Sequence, residues 1–194
     1  MPNRKLILAS TSTYRRELLD RFSLPYSVES PGTDEVPLAK EEPRSLAERL
    51  ACAKAEAVAL RYPDAWVIGS DQVAERDGTT LGKPGNHATA IEQLRAASGR
   101  NLLFHTAVCV RCIATNVALL HCDLTEVVFR VLDSDSIERY LLVERPYDCA
   151  GSFKSEGLGI TLFDSIRSDD PTALIGLPLI ALARILRETG LRLP

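Results

Sequence analysis

No stretch of this chain is apolar for long enough to cross a bilayer. The run Leu6-Ile7-Leu8-Ala9 is too short for the core of a secretory signal. An excess of one charge is also lacking: 23 basic residues stand against 26 acidic ones, a formal net charge of −3. That excludes a global basic field able to hold a nucleic-acid polymer, while a local basic cluster for a small anion remains compatible with the sum. Cysteine is sparse and odd in number. Cys52, Cys109, Cys112, Cys122 and Cys149 are spaced too irregularly for a disulfide framework. Internal repeats and low-complexity tracts are missing. A reducing cytoplasm, with no membrane partner, is the expected setting. The 194 residues, 45% of them hydrophobic, suffice for one domain over residues 1–194 or two tightly joined lobes.

The hydrophobic pattern alternates between helix and strand. Lys5–Ser10 reads as a short buried strand, followed by a helix over Thr13–Phe22 with Ser12 as N-cap. Tyr26–Ser30 is a second strand, and an acidic, proline-punctuated loop covers Pro31–Pro43. Ser45–Leu60 is helical. Ala65–Val73 reads as a buried strand with Gly69-Ser70-Asp71-Gln72 at its polar tip, and Gly78, Gly82, Pro84 and Gly85 mark a loop. A helix over His87–Ala97 precedes two long strands, Leu102–Ala114 and Val117–Leu132, joined by a turn at Thr115-Asn116. Asp133–Val143 is a helix. A glycine-rich polar loop then leads into a strand at Ile160–Phe163, and Pro178–Thr189 is the last helix, stopped by Gly190. The fold class expected is α/β with a mixed sheet.

Several segments can carry chemistry. Ser10-Thr11-Ser12-Thr13-Tyr14-Arg15-Arg16 joins a strand end to a helix start, where free N–H groups favour an anion and Arg15 can grip phosphate at two points. The plainer reading is a capped helix with solvated arginines. Asp71 suits metal binding or general-base work, or is an ordinary turn residue. Glu35, in the acidic loop, can offer a second oxygen to a hard cation, or simply be solvated. Gly82-Lys83-Pro84 fails as a phosphate-binding P-loop, because Gly78 and Gly82 are too close and Pro84 stands where the metal-binding hydroxyl belongs. Lys83 remains a point charge for phosphate, and so does Lys54 unless it is merely solvated. Gly151–Gly157 is a tight loop bearing Lys154 and Glu156. Cys109 and Cys112 sit in a strand pattern that sends them to opposite faces, which argues against a zinc site. Asp133-Ser134-Asp135 is better explained by helix capping than as a phosphatase nucleophile.

Taken in order, Leu8–Arg16, Asp34-Glu35, Arg49-Leu50-Ala51 with Lys54-Ala55, Val67–Asp71, Gly82-Lys83-Pro84, Ala150–Phe153 and Ile175–Leu179 resemble the Maf family of nucleotide pyrophosphatases over nearly the whole chain. Thr13 departs from the proline usual in that family, a loss of pre-organisation at the helix start. The resemblance implies an elongated twisted sheet with flanking helices forming two lobes around a cleft, as in inosine triphosphate pyrophosphatases, and often a homodimer. It implies hydrolysis of a nucleoside triphosphate to the monophosphate and pyrophosphate with Mg²⁺ or Mn²⁺. Asp71 is the catalytic carboxylate by that match. Ser10, Arg15, Lys54 and Lys83 bind phosphate, and Glu35 and Asp71 hold the metal.

Tyr14, Gln72 and Glu156 match the branch of the family that acts on 7-methyl-GTP rather than the one that acts on dTTP and UTP. Methylation at N7 makes guanine cationic, so an aromatic face attracts it and a carboxylate balances its charge. Tyr14 is then the stacking group, Glu156 the acid on the base edge and Gln72 an amide near base or sugar. Such an enzyme would limit the incorporation of modified nucleotides. The alternatives are a pyrophosphatase for other canonical or modified nucleotides, and a nucleotide-binding regulator of cell-division arrest.

Overall fold

A computed structural model describes residues 4–193. Its centre is a mixed sheet of seven strands among those residues. Strand β1 (Leu6–Ala9) is buried on both faces and lies parallel to β2 (Ser27–Glu29) and β3 (Trp66–Arg76), which is why it reads as an unbroken apolar run. The chain crosses from β1 to β2 through α1 (Thr13–Asp20) and from β2 to β3 through α2 (Pro43–Ala59). The remaining pairings are antiparallel: β3 with β4 (Thr79–Leu81) and β5 (Asn101–Cys112), β5 with β6 (Val117–Phe129), and β6 with β7 (Phe163–Arg167). Helices α3 (His87–Ala97), α4 (Ser134–Glu144) and α5 (Leu179–Glu188) complete the chain.

Local chemistry sets the element ends. Ser12, Asn86 and Asp133 each accept a hydrogen bond from a first-turn N–H of the helix that follows. Asp133 takes the Ser136 N–H at 2.7 Å, so capping accounts for the Asp-Ser-Asp run. Gly190, at φ +88°, closes α5, where Leu191 N–H reaches back to Leu186 O.

Three expectations need correction. Asp71 is not at a strand tip but in the middle of β3, which runs on to Arg76. Strand β4 lay hidden in the expected loop; Asp77 and Gly78, at φ +51° and +78°, form a two-residue hairpin turn. Ile160 belongs to a 3-10 turn (Leu158–Leu162), and the strand follows at Phe163, where β6 first offers a partner in Phe129.

The sheet alternation divides the core. Leu6, Leu8, Trp66, Ile68, Val108 and Val110 pack under α1 and α5. On the same face, Ala74, Phe104, Val127 and Phe129 pack under α3 and α4. These are the two lobes, carried on one continuous sheet. The opposite face is covered by α2, through Leu46, Ala47, Leu50, Ala51 and Ala55 against Val73, Ala107 and Cys109. Each large side chain so buried contributes about 1.5–3 kcal/mol relative to exposure.

Candidate active site

The site begins with a glycine. Gly69 of β3 sits directly under α2: a Cβ there would overlap the Ala51 carbonyl oxygen and lie 2.5 Å from the Ala55 nitrogen. The Ala47, Ala51 and Ala55 stripe lets the helix descend this far. Lys54, next to Ala55, and Asp71, two residues beyond Gly69 on the same strand face, are thereby brought together. Lys54 Nζ lies 2.6 Å from Asp71 Oδ1 and 2.5 Å from Glu35 Oε1. Lys54 is only 5% exposed and Asp71 only 7%, so this is a nearly buried ion pair rather than a solvated lysine. Among the described residues, no hydrogen bond is made to Asp71 Oδ2.

Glu35 arrives on the loop after β2. Arg49 of α2 clamps that loop, pairing with both Glu41 oxygens at 2.6 and 2.8 Å and donating to Val36 O at 3.2 Å. The Arg49 guanidinium holds the Glu41 carboxyl down at about 2. Burial pushes the Glu35 carboxyl up, but the hydrogen bond and charge of Lys54, with Lys83 and Arg15 behind them, outweigh it and leave the group below its ordinary range.

From the other side comes the β1–α1 turn. Ser12 N–H donates to Ser10 Oγ at 3.1 Å, and Ser12 Oγ caps the helix. Arg15 is fixed by its Nε, which donates to Gly176 O at 2.8 Å, an oxygen that also accepts from Ser70 Oγ at 3.0 Å. No hydrogen bond joins Nη1 or Nη2 of Arg15 to a described residue, so the forked end stays available for an anion. Burial lowers the Arg15 pKa, and the charges of Asp71 and Glu35 oppose that shift.

The third wall is the 148–156 loop. Phe153 anchors it, edge-on to Phe104, Phe129 and Phe163 at centroid separations of 5.3, 5.6 and 4.8 Å. Tyr14 faces this loop and donates from its hydroxyl to Asp148 Oδ2 at 3.4 Å. Burial, together with Cys149, Asp148 and Glu156, pushes the Tyr14 hydroxyl far up. Lys154 Nζ stands 6.0 Å from the Tyr14 ring centroid. Gln72 points to the sheet face opposite Asp71, and its Nε2 is engaged by Ala173 O, Leu174 O and Thr106 Oγ1 at 2.9 to 3.1 Å.

Both faces of β3 contribute because its edge is bare just here. Pairing with β1 ends at Gly69, and pairing with β4 begins only at Ala74. One cavity of about 410 Å³ opens at the gap, and all nine residues expected from the sequence border it: Ser10, Tyr14 and Arg15; Glu35 and Lys54; Asp71 and Gln72; Lys83; and Glu156. The cavity also brings in Asp148, Cys149 and Lys154, which sequence reasoning did not assign. Only the loop composition around them hinted at function. Cys109 faces Cys52 of α2, while Cys112 packs on the other face and donates to Pro63 O, so the pair does point opposite ways. Among the described residues, no cluster of three His, Cys, Asp or Glu is arranged for a metal, and no helix is long and apolar enough to cross a membrane.

A profile of the Maf-like protein family matches residues 5–189. A 7-methyl-GTP pyrophosphatase of Xanthomonas oryzae pv. oryzae (strain MAFF 311018) is 60% identical over 190 residues, which is 98% of this chain and 99% of the relative. Another of that name, from Albidiferax ferrireducens, is 55% identical over 189 residues, 97% of this chain and 95% of the relative. The structure of the Staphylococcus aureus Ham1 protein superposes with a TM-score of 0.53 at 15% identity, covering 96% of this chain and 100% of that one. At that identity the likeness is one of fold.

Proposed function

The chain belongs to the Maf-like family, and we propose that it is a nucleoside triphosphate pyrophosphatase that splits 7-methyl-GTP into 7-methyl-GMP and pyrophosphate. The observation that carries this reading is that Asp71 shares one cavity with Arg15, Lys54 and Lys83, a carboxylate amid the cations a triphosphate needs. The names of relatives at 55–60% identity support the substrate.

In this reading Arg15 grips phosphate through its free fork, with its Nε already fixed. Lys83 is the exposed point charge bordering the cavity, and the Ser10 hydroxyl donates from the β1–α1 turn. Asp71 accepts a proton from the attacking water through Oδ2, the oxygen that Lys54 leaves open. The water oxygen bonds to the α phosphorus, the bond from the α phosphorus to the bridging oxygen breaks, and pyrophosphate leaves carrying that oxygen. No serine or cysteine nucleophile is required.

The donor set suits Mg²⁺ or Mn²⁺. Two carboxylates, Glu35 and Asp71, flank Lys54 Nζ, and among the described residues no cluster of three His, Cys, Asp or Glu is arranged for a metal. Mg²⁺ is commonly held by one or two carboxylates plus substrate phosphates. Held by these two carboxylates, such an ion would supply neutralisation of phosphate charge.

Tyr14 would stack on the methylated base, with Glu156 on its hydrogen-bonding edge. The nearby Asp148 carboxylate supports a surface suited to a cation. Gln72 lines the pocket from the other side. The same reading makes the chain one catalytic domain of the cytoplasm, alone or as a homodimer, that clears modified nucleotides.

Pyrophosphate release from 7-methyl-GTP, GTP, dTTP and UTP with Mg²⁺ tests the proposal. A clear preference for 7-methyl-GTP is expected. Equal rates on GTP would remove the roles given to Tyr14 and Glu156, and no release from any of the four would favour a binding protein.

A further inference from the structure

A carboxylate that never touches the cavity lies behind its wall. Asp170 is 2% exposed. Its Oδ1 accepts from Thr172 N–H at 2.9 Å and from Thr172 Oγ1 at 2.6 Å, and its Oδ2 accepts from Ile180 N–H at 2.6 Å. Thr172 Oγ1 in turn accepts from Leu179 N–H at 2.9 Å and lies 2.9 Å from Leu177 O. The two side chains thus take up the first N–H groups of α5, whose own cap position is Pro178 with no side-chain bond. On its other side, Asp170 is tied to Ser168, which accepts from Thr125 of β6 at 2.9 Å.

One end of segment 172–177 is therefore pinned by Asp170 directly, and the other through Thr172 Oγ1 on Leu177 O and through the start of α5 at Ile180. The carbonyls between those ends are the ones that organise the site. Gly176 O holds Arg15 Nε and Ser70 Oγ. Ala173 O holds Thr106 and Gln72, and Leu174 O holds Gln72. Gly176 adopts φ +128°, so this carbonyl direction depends on backbone geometry that few residues tolerate.

We propose that Asp170 is a positioning residue for phosphoanhydride hydrolysis: it fixes the 172–177 segment so that Gly176 O aims the Arg15 guanidinium into the cavity. The proposal rests on the pyrophosphatase reading above. An acid is needed because Ile180 N–H and the Thr172 donors approach both oxygens. In Asp170→Asn one of those positions becomes an NH₂ facing a donor.

The test is a double-mutant cycle on pyrophosphate release from 7-methyl-GTP with Mg²⁺, using wild type, Asp170→Asn, Arg15→Ala and the double variant. Asp170→Asn should lower kcat/KM about 10- to 100-fold, in the same parameter, KM or kcat, that Arg15→Ala changes. The double variant should fall within about threefold of Arg15→Ala alone, since the coupled contact is already gone. A folded Asp170→Asn protein within about twofold of wild type, or a loss undiminished in the Arg15→Ala background, would overturn the proposal. If Asp170→Asn does not fold, Thr172→Val enters the cycle with the same two outcomes. If the wild type releases no pyrophosphate, the enzymatic reading has failed by itself. The cycle is then read by calorimetric binding of magnesium tripolyphosphate, where affinity unchanged by Asp170→Asn sinks the positioning role.

Discussion

Lys54 donates to Asp71 Oδ1 across 2.6 Å, and the same ammonium holds Glu35 on its other side. Two carboxylates are thus assembled around a cation that belongs to the protein. Removing that cation leaves Asp71 nearly buried without its partner. Lys54→Met should destabilise the fold by about 2–4 kcal/mol in urea unfolding. The effect should also depend on pH. The folded Glu35 carboxyl titrates below its ordinary range, so its contribution is present above that range and fades as pH falls through the lowered value. The gap between wild type and Lys54→Met should therefore narrow on acidification, and a gap that widens toward low pH would contradict this origin.

Gly69 sets the distance between α2 and β3. Gly69→Ala drives a methyl group into the Ala51 carbonyl and the Ala55 backbone. We expect destabilisation of about 1–3 kcal/mol from overpacking. Pyrophosphatase activity should fall further than stability alone explains, because Lys54 moves relative to Asp71. Thermal unfolding and kinetics on the same sample separate the two effects.

Base preference should reside in Tyr14 and Glu156 and not in Gln72. Tyr14→Arg with Glu156→Gln should lower the ratio of 7-methyl-GTP to GTP turnover, because a positive side chain then meets a positive ring. Gln72→Thr cuts the anchor on Ala173 O and Leu174 O. It should slow every nucleotide alike and leave the ratio in place, which competition assays with mixed nucleotides can measure.

Much of this was legible in the sequence for a physical reason. Ser12, Asp133 and Gly190 advertise helix ends through backbone chemistry that acts within a few residues. Long amphipathic or apolar runs such as α2 and β5 follow their periodicity. The residues that border the cavity stand out only by their order along the chain, because each alone has a plain structural reading. The misreadings were set by contacts distant in sequence. Asp71 looked like a strand tip because Gly69-Ser70-Asp71 is polar, yet β3 continues along its long pairing with β5. Gln72 borders the cavity as expected, and nothing in the sequence signals that its amide is held by partners about a hundred residues away, at Ala173 and Leu174. The Asp77-Gly78 turn of the β3–β4 hairpin, by contrast, is a local signal present in the sequence. Asp170 carries no local signal, because its meaning comes from the turn it pins and from Arg15 on the far side of that turn.

The central claim is that Asp71 activates water in a cavity built for a triphosphate. Asp71→Asn keeps the shape and a hydrogen-bond acceptor toward Lys54 but loses the proton acceptor. With 7-methyl-GTP and Mg²⁺, its rate of pyrophosphate release should fall about 10²- to 10⁴-fold, while its thermal unfolding shows a folded protein. A folded Asp71→Asn enzyme that releases pyrophosphate at the wild-type rate would contradict the account.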